Sequence, residues 1–165
     1  MLVVLSGRSG VGKTTIARGL AAAWPAVHLR IESIEQALRR GGVEVYAEAY
    51  AVAHAVAEDN LRLGSRVIAD SVNPWPLTRV EWRAVAERAG VPVLDVEVVC
   101  SDAAEHQRRV ESRASDIPGH VVPTWREVMA RDYRPWDTER LVVDSARLTV
   151  KESVALIVAE APSRM

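Results

Sequence analysis

The sequence predicts a three-layer α/β domain built on a five-stranded parallel sheet, and three observations carry that expectation. Strand-like and helix-like segments alternate along all 165 residues. Several of the strand-like segments are near-continuously apolar, as strands covered on both faces must be. The first of them runs straight into a glycine-rich turn and then a helix, through Gly7-Arg8-Ser9-Gly10-Val11-Gly12-Lys13-Thr14.

Taken in order, residues 2–6 are a β-branched apolar run closed by Gly7, and residues 13–23 a helix stopped by Trp24-Pro25. Residues 27–31 form a weaker second strand, and a short helix over 33–40 ends at Gly41-Gly42. An Ala-rich amphipathic helix over 47–63 closes at Gly64, and the third strand, 66–71, ends in an acid. A helix over 77–89 stops at Gly90, and residues 91–100 are the most strand-like run in the chain. Residues 102–112 make a charged, Arg-rich helix, and 115–123 a loop with Pro118, Gly119 and Pro123. A short helix over 124–131 takes Thr124 as its cap, 140–144 is the fifth strand and 150–160 the last helix. With no internal repeat or linker, residues 1–165 read as one domain. The polar stretch between the fourth and fifth strands reads as an insertion over the active face, a helical lid over about residues 101–136.

Composition narrows the function classes. An apolar fraction of 48% and a charged fraction of 26% are those of a soluble globular protein. A formal net charge of -1 supplies no global field for nucleic acid or an anionic membrane. The single cysteine, Cys100, excludes an internal disulfide and a cysteine-based metal site. The first residues, MLVVLSG, are too short and uncharged for a signal peptide, and no apolar stretch reaches membrane-spanning length, so a cytoplasmic location is expected. Positive charge is carried almost wholly by arginine, with lysine only at Lys13 and Lys151. Any one arginine therefore signals function weakly, whereas Lys13 signals it strongly.

Residues 7–14 match G-x-x-x-x-G-K-[ST] in full, in the strand–loop–helix setting that a P-loop requires. Gly7, Gly10 and Gly12 permit positive φ and leave no Cβ in the way, so successive backbone N–H groups can face phosphate oxygens. The helix that follows begins at the phosphates, where its free donors and dipole favour anions. Lys13 would bridge β- and γ-phosphates as a point charge, and the Thr14 hydroxyl would reach Mg²⁺. ATP is accordingly expected on Gly7, Arg8, Ser9, Gly10, Val11, Gly12, Lys13, Thr14 and Thr15, in a P-loop NTPase fold.

Three further candidates are read from position. Asp70 ends an apolar strand, where an acid holds Mg²⁺ with Thr14 or, alternatively, caps the turn that follows. Glu32 lies just past the second strand, either as acceptor of a hydroxyl proton or as an acid at a helix start. Arg109 and Arg113, four apart on one helix face beside Arg108, either close over the triphosphate or form a solvated face with Glu105 and Glu111. The four histidines show no metal spacing and read as surface or core filling, and the five tryptophans as packing.

With these residues in place, the chain resembles the P-loop kinases that include chloramphenicol phosphotransferase, zeta toxin, polynucleotide kinase and the adenylylsulfate and gluconate kinases. The resemblance covers nearly the whole chain. It rests on GRSGVGKTT, the carboxylate after the second strand, VIADSVNP with Arg79 downstream, CSDAAEHQRRVESR, and PTWREVMARDYRPWD before RLVVDS. It implies strand order 2-3-1-4-5, a catalytic base at Glu32 where that group usually has Asp, and lid arginines at Arg109 and Arg113. It also implies that adenine lies between the lid base and the loop after the last strand, beside Ser145.

The leading expectation is an ATP- and Mg²⁺-dependent phosphotransferase, with the acceptor hydroxyl near Glu32, Asp70 and Asn73. The acceptor would be a small molecule or nucleotide; a nucleic-acid end fits the near-neutral charge less well, and no membrane partner is expected. The chain would act as a monomer or homodimer. The alternative is a nucleotide-dependent ATPase or switch without an acceptor, against which stand the short chain, the single insertion and the lack of an N-K-x-D motif. A third reading is nucleotide binding without catalysis, should Glu32 not be a base.

Overall fold

Burial along the first strand, β1 (Leu2–Ser6), sets the architecture. Val3 and Leu5 pack among Ile16, Ala17, Leu20, Val154 and Ile157, whereas Leu2 and Val4 pack among Ala53, Ala57, Leu61, Trp82 and Val85. A strand that is apolar on both faces has to be covered twice. In the computed structural model, which describes residues 1–161, it is the central strand of a parallel sheet. The others are β2 (Val27–Arg30), β3 (Val67–Asp70), β4 (Val93–Val99) and β5 (Leu141–Asp144), in the order β2-β3-β1-β4-β5.

Seven helices surround it among the described residues: α1 (Lys13–Ala23), α2 (Ile31–Arg40), α3 (Glu48–Arg62), α4 (Pro76–Arg88), α5 (Ala103–Ser112), α6 (Trp125–Ala130) and α7 (Val150–Glu160). Helices α1 and α7 cover one face of the sheet, and α2, α3 and α4 contribute the apolar residues of the other. The register pairs Leu5 with Asp70 and with Val96, and Arg30 with Asp70. The carboxyl ends of β1, β2 and β3 therefore lie side by side. The chain passes from β1 to β2 on one side of β1 and later from β3 to β4 on its other side, which makes the carboxyl end of β1 the switch point where ligands bind in open α/β sheets.

The expected elements are all present, and β1, α1 and α7 have the expected bounds. One boundary differs in a way that matters. Ile31, expected to end the second strand, begins α2 instead, with Arg30 in extended conformation as its N-cap. Ile31 is buried against the α3 side of the core, so the chain turns into the helix with no loop. Glu32 consequently sits in the first turn of α2.

Candidate active site

The glycine-rich loop is shaped by what presses on it. Gly7 has φ 144°, and a Cβ there would stand 2.3 Å from the Val98 carbonyl oxygen of β4. Gly10 has φ 83°, and a Cβ there would meet the Val110 side chain of α5 at 2.4 Å. Both positions thus require glycine for space as well as for backbone conformation. No side chain caps the start of α1, so its first N–H groups are left for an anion. Lys13 is buried, and its Nζ donates to the Arg8 carbonyl at 2.9 Å. Burial draws the Lys13 ammonium below its ordinary range, opposed by the charges of Asp70 and Glu32.

Asp70 is only 3% exposed, and its Oδ2 accepts from Thr14 Oγ1 at 2.7 Å. His28 Nε2 lies 3.2 Å from the same oxygen. Burial would raise the Asp70 carboxyl, but the bond from His28, the Lys13 charge and the bond from Thr14 together hold it below its ordinary value. Oxygen donors of this kind suit Mg²⁺, which takes one or two protein ligands and fills the rest of its shell with water and phosphate. No group of three or more His, Cys, Asp or Glu able to hold a metal exists among the described residues. Thr14 Oγ1 and Asp70 Oδ2 present two oxygens of this kind side by side at the start of α1.

Glu32 is held by two guanidiniums on one oxygen. Arg30 and Arg113 both donate to Oε2 at 2.8 Å, and among the described residues no hydrogen bond involves Oε1. Arg30 also binds Asp116, which Arg18 holds as well. Burial works to raise the Glu32 carboxyl, but Arg113, Lys13 and Arg30 outweigh it and keep it ionised. The carboxylate lines the same cleft as Lys13, Thr14 and Asp70, a space of about 1290 Å³.

The two arginines expected on one helix face part company. Arg109, on α5, donates to Ser145 Oγ at 2.9 Å and to the Ser145 carbonyl at 3.1 Å. Arg113 is the C-cap of α5, with φ -70° and ψ 124°, so its side chain leaves the helix line and reaches Glu32. Both line the cleft, whereas Arg108 is exposed, pairs with Glu105 and does not line it. Ser145 joins the loop to this arginine, because its hydroxyl donates to the Val11 carbonyl at 2.7 Å.

The segment expected as a lid is hydrogen-bonded to the P-loop from α5 and from the end of α6. His106 Nε2 on α5 is 2.8 Å from the Ser9 carbonyl. The Arg8 side chain turns away from the cleft and donates to the Val128 and Arg131 carbonyls at 2.8 and 3.0 Å. Arg79, 2% exposed, holds the following stretch through the Arg134 and Pro135 carbonyls at 2.6 and 3.1 Å, with its guanidinium 4.2 Å from the Trp136 ring centre.

Ser9, Gly10, Gly12, Lys13, Thr14 and Thr15 line the cleft, whereas Gly7 and Val11 lie behind it. Asn73, expected beside the acceptor, is fully buried in a left-handed conformation, φ 47°, and its amide donates to Ser6 Oγ. It braces the end of β1 and does not line the cleft. His28, read as filling, touches Asp70 instead. Strand parity would have found it: His28 and Arg30 share a face of β2, and Arg30 is in register with Asp70. Gln36, Tyr50 and Arg131 also line the cleft, and no motif marked them.

Comparison with known proteins agrees with this fold. The family model for an AAA domain matches residues 2–131. No curated protein matches the sequence. Among solved structures, a Chloroflexus aurantiacus protein is 17% identical, with 96% of this chain and 93% of that one covered and a TM-score of 0.72. The Mycobacterium tuberculosis APS kinase CysC, in complex with AMPPNP and APS, is 14% identical over 96% and 95% of the two chains, with a TM-score of 0.68. Chaetomium thermophilum Kti12, in complex with ADP-AlF3, is 20% identical over 99% and 100%, with a TM-score of 0.64. At these identities the likeness shows the P-loop fold. No helix among the described residues is long and apolar enough to cross a membrane.

Proposed function

This chain belongs to the AAA domain family, and on that premise we propose that it is a phosphotransferase moving the γ-phosphate of ATP to a hydroxyl of a small molecule or nucleotide. The observation that carries the reading is the free Oε1 of Glu32 in a cleft that also holds Lys13, Thr14 and Asp70. A pure nucleotide switch has no need of cleft space beyond that which its nucleotide fills. At about 1290 Å³ the cleft exceeds the roughly 300–1,000 Å³ usual for one small ligand and leaves room for an acceptor beside the nucleotide.

The loop N–H groups, the start of α1 and Lys13 hold the triphosphate. Thr14 and Asp70 would hold Mg²⁺, which when bound neutralises charge on the phosphate oxygens. Glu32 orients the acceptor hydroxyl through Oε1. As the acceptor oxygen bonds to the γ-phosphorus, the bond to the bridging oxygen of ADP breaks and the hydroxyl proton passes to Glu32. Such transfer depends chiefly on positioning and electrostatics, so a carboxylate kept ionised by Arg30 and Arg113 is suited to the task despite being a weak base. Arg109 and Arg113 supply positive charge at the cleft wall, and Ser145 lies where Arg109 approaches the loop. The fold likeness to an APS kinase supports a kinase reading, and the likeness to Kti12 leaves hydrolysis as the competitor.

The test is Glu32→Gln. It should retain ATP·Mg²⁺ binding and lose transfer by about 10²–10⁴-fold, with part of the activity kept in Glu32→Asp. A full transfer rate in Glu32→Gln would reduce Glu32 to an acid at a helix start.

A further inference from the structure

Past the P-loop the cleft runs towards the start of α4, and the charge on its walls is uneven. Six arginines line it. Arg18 pairs with Asp116, Arg30 with Asp116 and Glu32, Arg39 with Glu35, Arg109 with Glu105 and Arg113 with Glu32. Arg131 has no ion pair among the described residues, and its guanidinium makes no hydrogen bond there.

Its place is fixed from both sides. The Arg131 carbonyl accepts from Arg8 at 3.0 Å, and the next residue, Asp132, accepts from Trp75 Nε1 at 3.2 Å. Arg131 therefore stands beside the loop between β3 and α4, on the side of the cleft away from Ser145. It is close enough to Lys13 and Tyr50 to act on both electrostatically. Gln36 of α2 is a second unclaimed group: it lines the same cleft, and its side-chain amide makes no hydrogen bond among the described residues. Its amide is not among the side-chain groups buried without a partner, so it opens into the cleft, where it can donate to and accept from a ligand.

We infer that this end of the cleft is the acceptor subsite and that it selects hydroxyl compounds bearing an anionic group (a carboxylate, sulfate or phosphate), with Arg131 taking the anion and Gln36 the polar body. A guanidinium fork matches the geometry of such groups, and an unneutralised one leaves a net positive wall. The inference rests on the phosphotransferase reading.

The test saturates the intact chain with AMPPNP and Mg²⁺, then titrates matched probes by calorimetry: glycerate against glycerol, and glucuronate against glucose. In the wild type the charged member should bind about tenfold or more tightly than its neutral partner. Arg131→Gln should remove that advantage, Arg131→Lys should keep part of it, and AMPPNP affinity should be the same in all three. No advantage in the wild type, or one that survives in Arg131→Gln, overturns the inference. A fall in AMPPNP affinity in Arg131→Gln also overturns it, because Arg131 would then serve the triphosphate. Failure of the wild type to bind AMPPNP at all would instead bring down the phosphotransferase reading beneath it.

Discussion

Lys13 holds its ammonium 2.9 Å from the Arg8 carbonyl, a contact that a β- or γ-phosphate would replace. Lys13→Ala should abolish turnover and weaken triphosphate binding about tenfold or more, with an unchanged circular dichroism spectrum. Unchanged affinity by calorimetry would remove the phosphate role from this loop. At Asp70 the test is metal dependence. Asp70→Asn should leave Mg²⁺-free nucleotide affinity nearly unaltered and cost more than about tenfold of the gain that Mg²⁺ confers. Equal losses with and without metal would make Asp70 a structural partner of Thr14 and His28. A residue outside the site controls stability against pH. His54, on α3, packs edge-on to Trp82 with ring centres 4.4 Å apart, and its buried Nε2 has no hydrogen-bond partner among the described residues. Burial pushes it down from 6.5 to about 4, so the unfolded chain binds the proton more readily than the folded one. Stability should be full above pH 6.5 and should fall as pH drops from 6.5 towards about 4. His54→Phe should flatten that part of the profile in urea unfolding, and an unchanged slope would place the titration elsewhere.

At the scale of elements, the P-loop is braced by the segment that follows β4. Gly10→Ala would push a methyl into Val110 of α5 at a φ of 83°, so a loss of about 1–3 kcal/mol is expected, together with weaker nucleotide binding. A urea midpoint equal to the wild type would show that α5 yields freely. Arg8→Ala removes two charge-assisted bonds to the carbonyls of residues 128 and 131. It should speed hydrogen exchange in α6 while leaving the sheet protected; equal protection in α6 would show that the capping box at Thr124 and Arg79 hold this segment without Arg8. The elements themselves were largely legible, because periodic runs bounded by Gly and Pro announce them. The turn from β2 into α2 was not. No stop residue separates Arg30 from Ile31, and only burial of Ile31 decides that the helix starts there. The divergence of Arg113 from Arg109 was hidden likewise, since it depends on α5 ending at Ser112 with no glycine to mark the end.

At the scale of the molecule, one switch point gathers everything. The P-loop and Asp70 could be read in sequence because each carries its own local pattern at the end of an apolar strand. Gln36, Tyr50 and Arg131 could not, because they come from three separate elements or loops that only the parallel order brings to one edge. Arg131 was further masked by an arginine-rich composition, in which an unpaired guanidinium differs from its neighbours only once every carboxylate has been placed. The same convergence leaves a cleft of about 1290 Å³, the room that the proposed transfer needs for donor and acceptor together. The most direct measurement is the fate of labelled γ-phosphate from ATP with Mg²⁺, followed with and without a mixture of hydroxyl compounds. Label should accumulate in an organic phosphate ester when acceptors are present, with inorganic phosphate the minor product. Release of all the label as inorganic phosphate, at a rate indifferent to every acceptor, would make this chain an ATPase and contradict the proposed transfer.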